Sequence, residues 1–150
     1  PEGDYYSAPL VEGKIAAGSG GLVEEDQIKS KVWIYAPELL DRRRHRLTAV
    51  QVGEVNGISM LPTIAPGDIV LIDHDDPGGA KRLFKSGKIY AIRTSRTEPD
   101  TAIKRVYESG ENLVIASDNR EFAPEVAWSR NVDELIVGRV VWGWRNLLKA

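Results

Sequence analysis

The chain is cut into short apolar runs, and none carries a helical period long enough to pack as a sizeable helix. Residues 31–35, 47–55, 68–73, 88–93, 101–107, 112–117 and 134–144 are rich in β-branched and aromatic side chains. Clusters of Gly, Pro, Asp, Asn and Ser separate them, as turns separate strands. Residues 47–55 alternate, with Thr48, Val50 and Val52 opposed to Ala49, Gln51 and Gly53. The pattern predicts a mainly β, β-rich domain with short helical turns. One such turn is expected at Pro37-Glu38-Leu39-Leu40, where proline suits a helix start. Residues 9–15 read as a short extended segment, and residues 1–7 as loose and polar. A chain of 150 residues suffices for one domain with a real core.

Charge and composition exclude several classes. A net charge of -2 offers no general attraction to nucleic acid or to a membrane surface. Without cysteine there are no disulfides and no thiolate metal sites. His45 and His74 are the only histidines, so no metal and no cofactor is expected. No apolar run approaches the roughly 20 residues of a membrane span. No signal-peptide pattern is present, and the start at Pro1 leads us to expect a fragment or a processed form. The basic run 42–46 is expected to be a solvated loop, with an acidic partner as the other reading. His74, in the turn-rich stretch 74–79, is likewise expected in a solvated turn.

One stretch invites a chemical reading. Gly57-Ile58-Ser59-Met60-Leu61-Pro62-Thr63, closed by Pro66-Gly67-Asp68, sets a serine just before a proline turn. The residue before Pro62 is pushed out of helical angles, and Gly57 permits a tight turn. The hydroxyl would then stand at a strand end. A serine hydroxyl is a weak nucleophile until a base takes its proton. The histidines lie in polar, loop-like contexts, which disfavours a Ser-His-Asp triad.

A lysine is the other option. In strand 101–107, period two places Lys104 with Ala102 and Val106, and Ile103, Arg105 and Tyr107 on the opposite face. Lysine is rarely buried without a partner. Either Lys104 snorkels to water or its amine is desolvated. A desolvated amine has a lowered pKa and can act as a general base toward Ser59. Arg105 cannot, because its guanidinium stays protonated. The backbone N–H groups of Ser59 and Met60 are the natural oxyanion donors.

Two further stretches carry alternatives. Ala16-Ala17-Gly18-Ser19-Gly20-Gly21 holds small residues only. It reads as a flexible linker, or as a segment that enters a narrow active site in extended form. Val140, Trp142 and Trp144 line one face of the last strand. Core packing is the preferred reading for them, and a dimer interface the functional one.

Taken together, Gly57-x-Ser59-Met60-x-Pro62-Thr63, Gly67-Asp68 and Lys104-Arg105 resemble the LexA-like self-cleaving repressors, with phage CI-type repressors and UmuD proteins. Ser117-Asp118-Asn119-x-x-Phe122-x-Pro124, residues 137–142 and Ile15-Ala16-Ala17-Gly18 extend the likeness across roughly residues 9 to 145. The resemblance implies a LexA/signal-peptidase-like fold, with Ser59 as nucleophile and Lys104 as general base. It implies self-cleavage at Ala17-Gly18, no cofactor and a cytoplasmic location. The organisation it implies is an N-terminal segment with the cleavage loop over residues 1–21, and a peptidase and dimerisation domain over 22–150. The implied partners are a second copy in a homodimer and an activated RecA filament, with no membrane. Operator DNA would be bound only through an upstream helix-turn-helix domain absent from this chain. Two other readings remain: a non-cleaving oligomerisation or effector module, and a UmuD-like polymerase accessory protein. A membrane signal peptidase shares the chemistry, but this chain has no hydrophobic anchor.

Overall fold

The computed structural model describes residues 5–11, 28–53, 57–77, 84–94, 101–127 and 132–149. Among the described residues, nine strands form one mixed sheet. They are β1 (Tyr6–Val11), β2 (Ile28–Ile34), β3 (Leu47–Gln51), β4 (Ile69–Asp73), β5 (Lys88–Arg93), β6 (Thr101–Ser109), β7 (Asn112–Ala116), β8 (Glu125–Val126) and β9 (Ile136–Trp144). The order across the sheet is β2-β1-β3-β4-β9-β5-β6-β7-β8. β1 and β3 run parallel, and the remaining neighbours are antiparallel. Helical structure among the described residues is short: 3-10 turns at Pro37–Arg42 and Leu147–Lys149, and α1 (Val132–Leu135). The mainly β expectation holds, and none of these helices is long and apolar enough to cross a membrane.

Strand β4 is the spine. Val70, Leu71, Ile72 and Asp73 are all buried, so both faces of β4 are covered. Leu71 packs with Ala8, Ile34, Leu39 and Ala49 on one face, and Val70 packs with Met60 and Ile64 on the other. Continuous apolar character is what a strand covered on both faces requires.

The last strand departs from its simple alternation. Leu71 pairs with Trp142 but Ile72 pairs with Val140, so Val141 is an extra residue in the ladder. Val140 therefore joins the Met60 side, whereas Val141 and Trp144 pack against the Leu71 cluster. The expectation that Val140 and Trp144 share one face fails because the bulge resets the parity. Trp142 is 37% exposed, the residue of this group least committed to the core.

The start of the chain also differs. Tyr6 and Ser7 belong to β1, held by pairing with Ile34 and Trp33, and are not loose. The basic run is solvated only in part: Arg43, Arg44 and Arg46 are exposed, whereas Arg42 and His45 are half-buried. Arg42 donates to Asp73 at 2.8 Å and to Asp76 at 2.6 Å, and Arg46 reaches Asp75 at 2.9 Å. The buried Asp73 carboxylate draws Arg42 in, because a buried charge must be paired.

Candidate functional site

The serine stretch forms a compact turn capped by its own backbone. Leu61 N–H donates to Ile58 O at 3.2 Å, and Thr63 and Ile64 N–H both donate to Met60 O at 2.9 Å. Met60 and Ile64 are buried at 3% and 7% exposure and pin the turn to the sheet through Val70 and its neighbours. Burying two such side chains contributes roughly 3–6 kcal/mol, enough to fix a loop that has no ladder of its own. Gly57 serves by its size: an added Cβ would lie 2.0 Å from Gly53 O and 2.7 Å from Val52 Cγ1. The turn leaves through Pro66 and Gly67, whose φ of 88° suits the third position of a type II turn. Asp68 then closes it, accepting from Ala65 N–H at 2.9 Å and from two nitrogens of Arg145 at 2.9 and 2.8 Å.

Ser59 is partly buried on this turn. Its hydroxyl, its backbone N–H and that of Met60 make no hydrogen bond among the described residues. Those are the free groups that nucleophilic attack and oxyanion binding would use.

Lys104 comes from β6. The hairpin Ser109-Gly110-Glu111-Asn112 pairs Ser109 with Asn112, and so Arg105 with Ala116. One step further along that register, Lys104 stands opposite Ser117, and its Nζ donates to Ser117 Oγ at 3.0 Å. The Phe122 ring centroid lies 5.8 Å from Nζ. Both sit in a cavity of about 500 Å³ whose wall includes Arg93, Ile115, Ser117, Phe122 and Glu125. Burial pushes the Lys104 amine below the usual lysine range, against the opposing pull of Glu125. Of the two sequence readings of Lys104, the desolvated amine is the one that this burial supports.

Residues 117–119 link the two. Lys104 donates to Ser117. Asn119 N–H donates to Ser59 O at 3.0 Å, and Asn119 Nδ2 donates to Ile58 O at 3.0 Å. Between them, Asp118 accepts from Arg105 Nε and Nη2, both at 2.8 Å, and from Thr63 Oγ1 at 2.5 Å. Arg105 also donates to Gly87 O at 2.8 Å. The bidentate Arg105 pair holds the Asp118 carboxyl below the usual aspartate range. Ser59 and Lys104 are thus fastened to one short segment, but no hydrogen bond joins their side chains. In the sequence this segment stands out only through the family likeness; the two-residue hairpin at Gly110-Glu111 is the signal that fixes its register.

The remaining candidates lie elsewhere. His45 Nδ1 is 2.7 Å from Asp73, and His74 Nε2 is 2.7 Å from Thr48. Both gather at the far end of β4, roughly 13 Å along the strand from its serine end. His74 is 7% exposed, so the expected solvated turn is overturned; burial drives its pKa down, and Thr48 supplies a partner. Ala17 and Gly18 lie outside the described residues. Among the described residues, no group of three or more His, Asp or Glu could hold a metal ion.

A β-rich sheet thus carries an anchored serine turn and a desolvated lysine, both tied to residues 117–119. The Peptidase S24-like family profile matches residues 9–141. The chain belongs to that family, which includes the C-terminal domains of LexA, UmuD and phage repressors. No curated protein matches it.

Proposed function

We propose that this chain is the self-cleaving and dimerising C-terminal domain of a LexA/CI-like repressor, cutting its own Ala17-Gly18 bond with Ser59 and Lys104. The observation that carries the reading is the segment 117–119, which holds the Lys104 amine and the Ser59 carbonyl together. A neutral Lys104 amine takes the proton of Ser59 Oγ as that oxygen attacks the Ala17 carbonyl carbon. The N–H groups of Ser59 and Met60 receive the developing oxyanion. The Ala17–Gly18 bond then breaks, and Lys104 returns its proton to the departing Gly18 amine. Water, deprotonated by the same amine, hydrolyses the Ser59 ester. Presentation of the bond within one chain removes the entropic cost of capturing a substrate. In this reading the domain works as a homodimer in the cytoplasm, an activated RecA filament stimulates it, and operator DNA is held by an upstream domain.

Intact mass against time tests it, at neutral and alkaline pH, for the wild type, Ser59→Ala and Lys104→Ala. Appearance of a fragment ending at Ala17 in the wild type alone is the expected result, faster at alkaline pH where the amine is neutral. Cleavage at the wild-type rate in either variant would refute the dyad. A stable, uncleaved wild-type dimer would favour a non-cleaving oligomerisation module, a reading that the missing Ser59–Lys104 hydrogen bond supports.

A further inference from the structure

We infer that Ser117 is the positioning residue for the Lys104 amine, aiming its lone pair by holding one of its N–H bonds. The inference rests on the proposed role of Lys104 and adds a residue to it.

A lysine amine ends a stem of four rotatable carbons, and a desolvated amine without a partner has no preferred direction. A neutral amine carries two N–H bonds and one lone pair. Fixing one N–H leaves the lone pair a restricted set of directions. Ser117 Oγ is the one hydrogen-bond partner of Lys104 among the described residues, at 3.0 Å. Ala102 shares the Lys104 face of β6 and carries no hydroxyl. The Phe122 ring, 5.8 Å away, can favour a cation but cannot orient a lone pair.

The placement of Ser117 follows from backbone register rather than from chance contact. It sits opposite Lys104 because Ser109 pairs with Asn112 across a two-residue turn. Two residues later, Asn119 holds the carbonyls of Ile58 and Ser59. Between them, Asp118 is fixed by Arg105 and Thr63. A hydroxyl that grips the base therefore belongs to the same braced segment that grips the serine turn. Any error in one grip would be an error in the distance between nucleophile and base. That is the arrangement expected of a positioning group.

The test compares wild type, Ser117→Ala and Ser117→Thr, with Lys104→Ala as the inactive control. Self-cleavage rates are followed from neutral to strongly alkaline pH. The Lys104 ammonium is titrated by NMR with labelled lysine in a Ser59→Ala background, where no cleavage intervenes. Glu125 and Arg93, the charged groups that line the same cavity, are present in every protein and cancel. Ser117→Ala is expected to lower the limiting alkaline rate by up to about tenfold, the upper end of what one lost hydrogen bond between neutral groups commands. It should also move the Lys104 midpoint downward, since an oxygen that accepts from the ammonium favours the charged form. Ser117→Thr, which keeps the hydroxyl, should restore most of the rate and the midpoint. An unchanged rate with an unchanged midpoint overturns the inference. So does a slower Ser117→Ala whose midpoint is unmoved and whose threonine counterpart gives no rescue, because that pattern marks a folding role. If the wild type cleaves at no pH, the dyad reading fails separately, and the midpoint comparison alone decides whether Ser117 holds the amine.

Discussion

Asp118→Asn removes one charge from the clasp that joins β6, the serine turn and residues 117–119, while keeping the shape of the side chain. In the wild type the carboxylate accepts two hydrogen bonds from Arg105 at 2.8 Å and one from Thr63 at 2.5 Å. The side chains of Arg105 and Asp118 are 24% and 14% exposed, which moderates but does not abolish solvent screening. Hydrogen bonds to a charged partner contribute about 1.5–3 kcal/mol, and we take about 2 kcal/mol for the loss at neutral pH. For a chain of this size that corresponds to a fall of roughly 4–8 °C in Tm. The sign with pH follows from the depressed Asp118 pKa, caused first by the Arg105 hydrogen bonds. A carboxyl with a depressed folded pKa contributes stability that is fully present above its unfolded pKa of about 3.9. That contribution is lost as pH falls through the lower folded value. Urea unfolding of both proteins, at neutral pH and again well below the aspartate range, should show a gap that closes in acid. Asp68, also depressed by its Arg145 hydrogen bonds, is common to both proteins and cancels. An equal gap at both pH values would refute the charge argument, and no gap at neutral pH would refute the clasp itself.

Two further outcomes are expected. Gly57→Ala should destabilise by about 1–3 kcal/mol in chemical denaturation, because its Cβ would run into the Gly53 carbonyl and the Val52 Cγ1 methyl; unchanged stability would refute the close approach to Gly53 O. Lys104→Met should raise stability at neutral pH by about 1 kcal/mol or less, since burial disfavours the ammonium. With a folded pKa depressed below the unfolded one, that burden is full below the folded value and gone above the unfolded value, so the advantage should fade as pH rises through the lysine range. A methionine variant less stable at every pH would show that the amine is better accommodated than its desolvation implies.

Strand identity was legible because β-branched runs and their turn residues are local properties. Residues 88–93 form β5 as the sequence predicts, and 101–107 lie within β6. What was not legible depends on contacts distant in sequence. No local pattern announces the bulge at Val141, which sends Val140 and Trp144 to opposite faces. The run 42–46 reads as solvated throughout, yet Asp73, on a strand paired with β3, draws Arg42 and His45 toward the sheet. Ser59 and Lys104 stood out by their residue types and by the family likeness. The roles of Ser117 and Asn119 required the register of β6 against β7 and the docking of a remote turn, which composition does not encode.

Strand β1 has a consequence for any break between residues 11 and 28. Val11 pairs with Ile28 on one side, while Leu10 and Val11 pair with Ala49 and Val50 on the other. The peptide upstream of such a break would stay zipped between two neighbours, with Ala8 and Val11 still buried. The nicked molecule would be a two-chain complex, and its persistence would become a matter of concentration and of the rate at which one strand peels from the sheet. Severing the chain and parting the pieces are then separate events, and the slower of the two would set how quickly anything attached ahead of Tyr6 is let go.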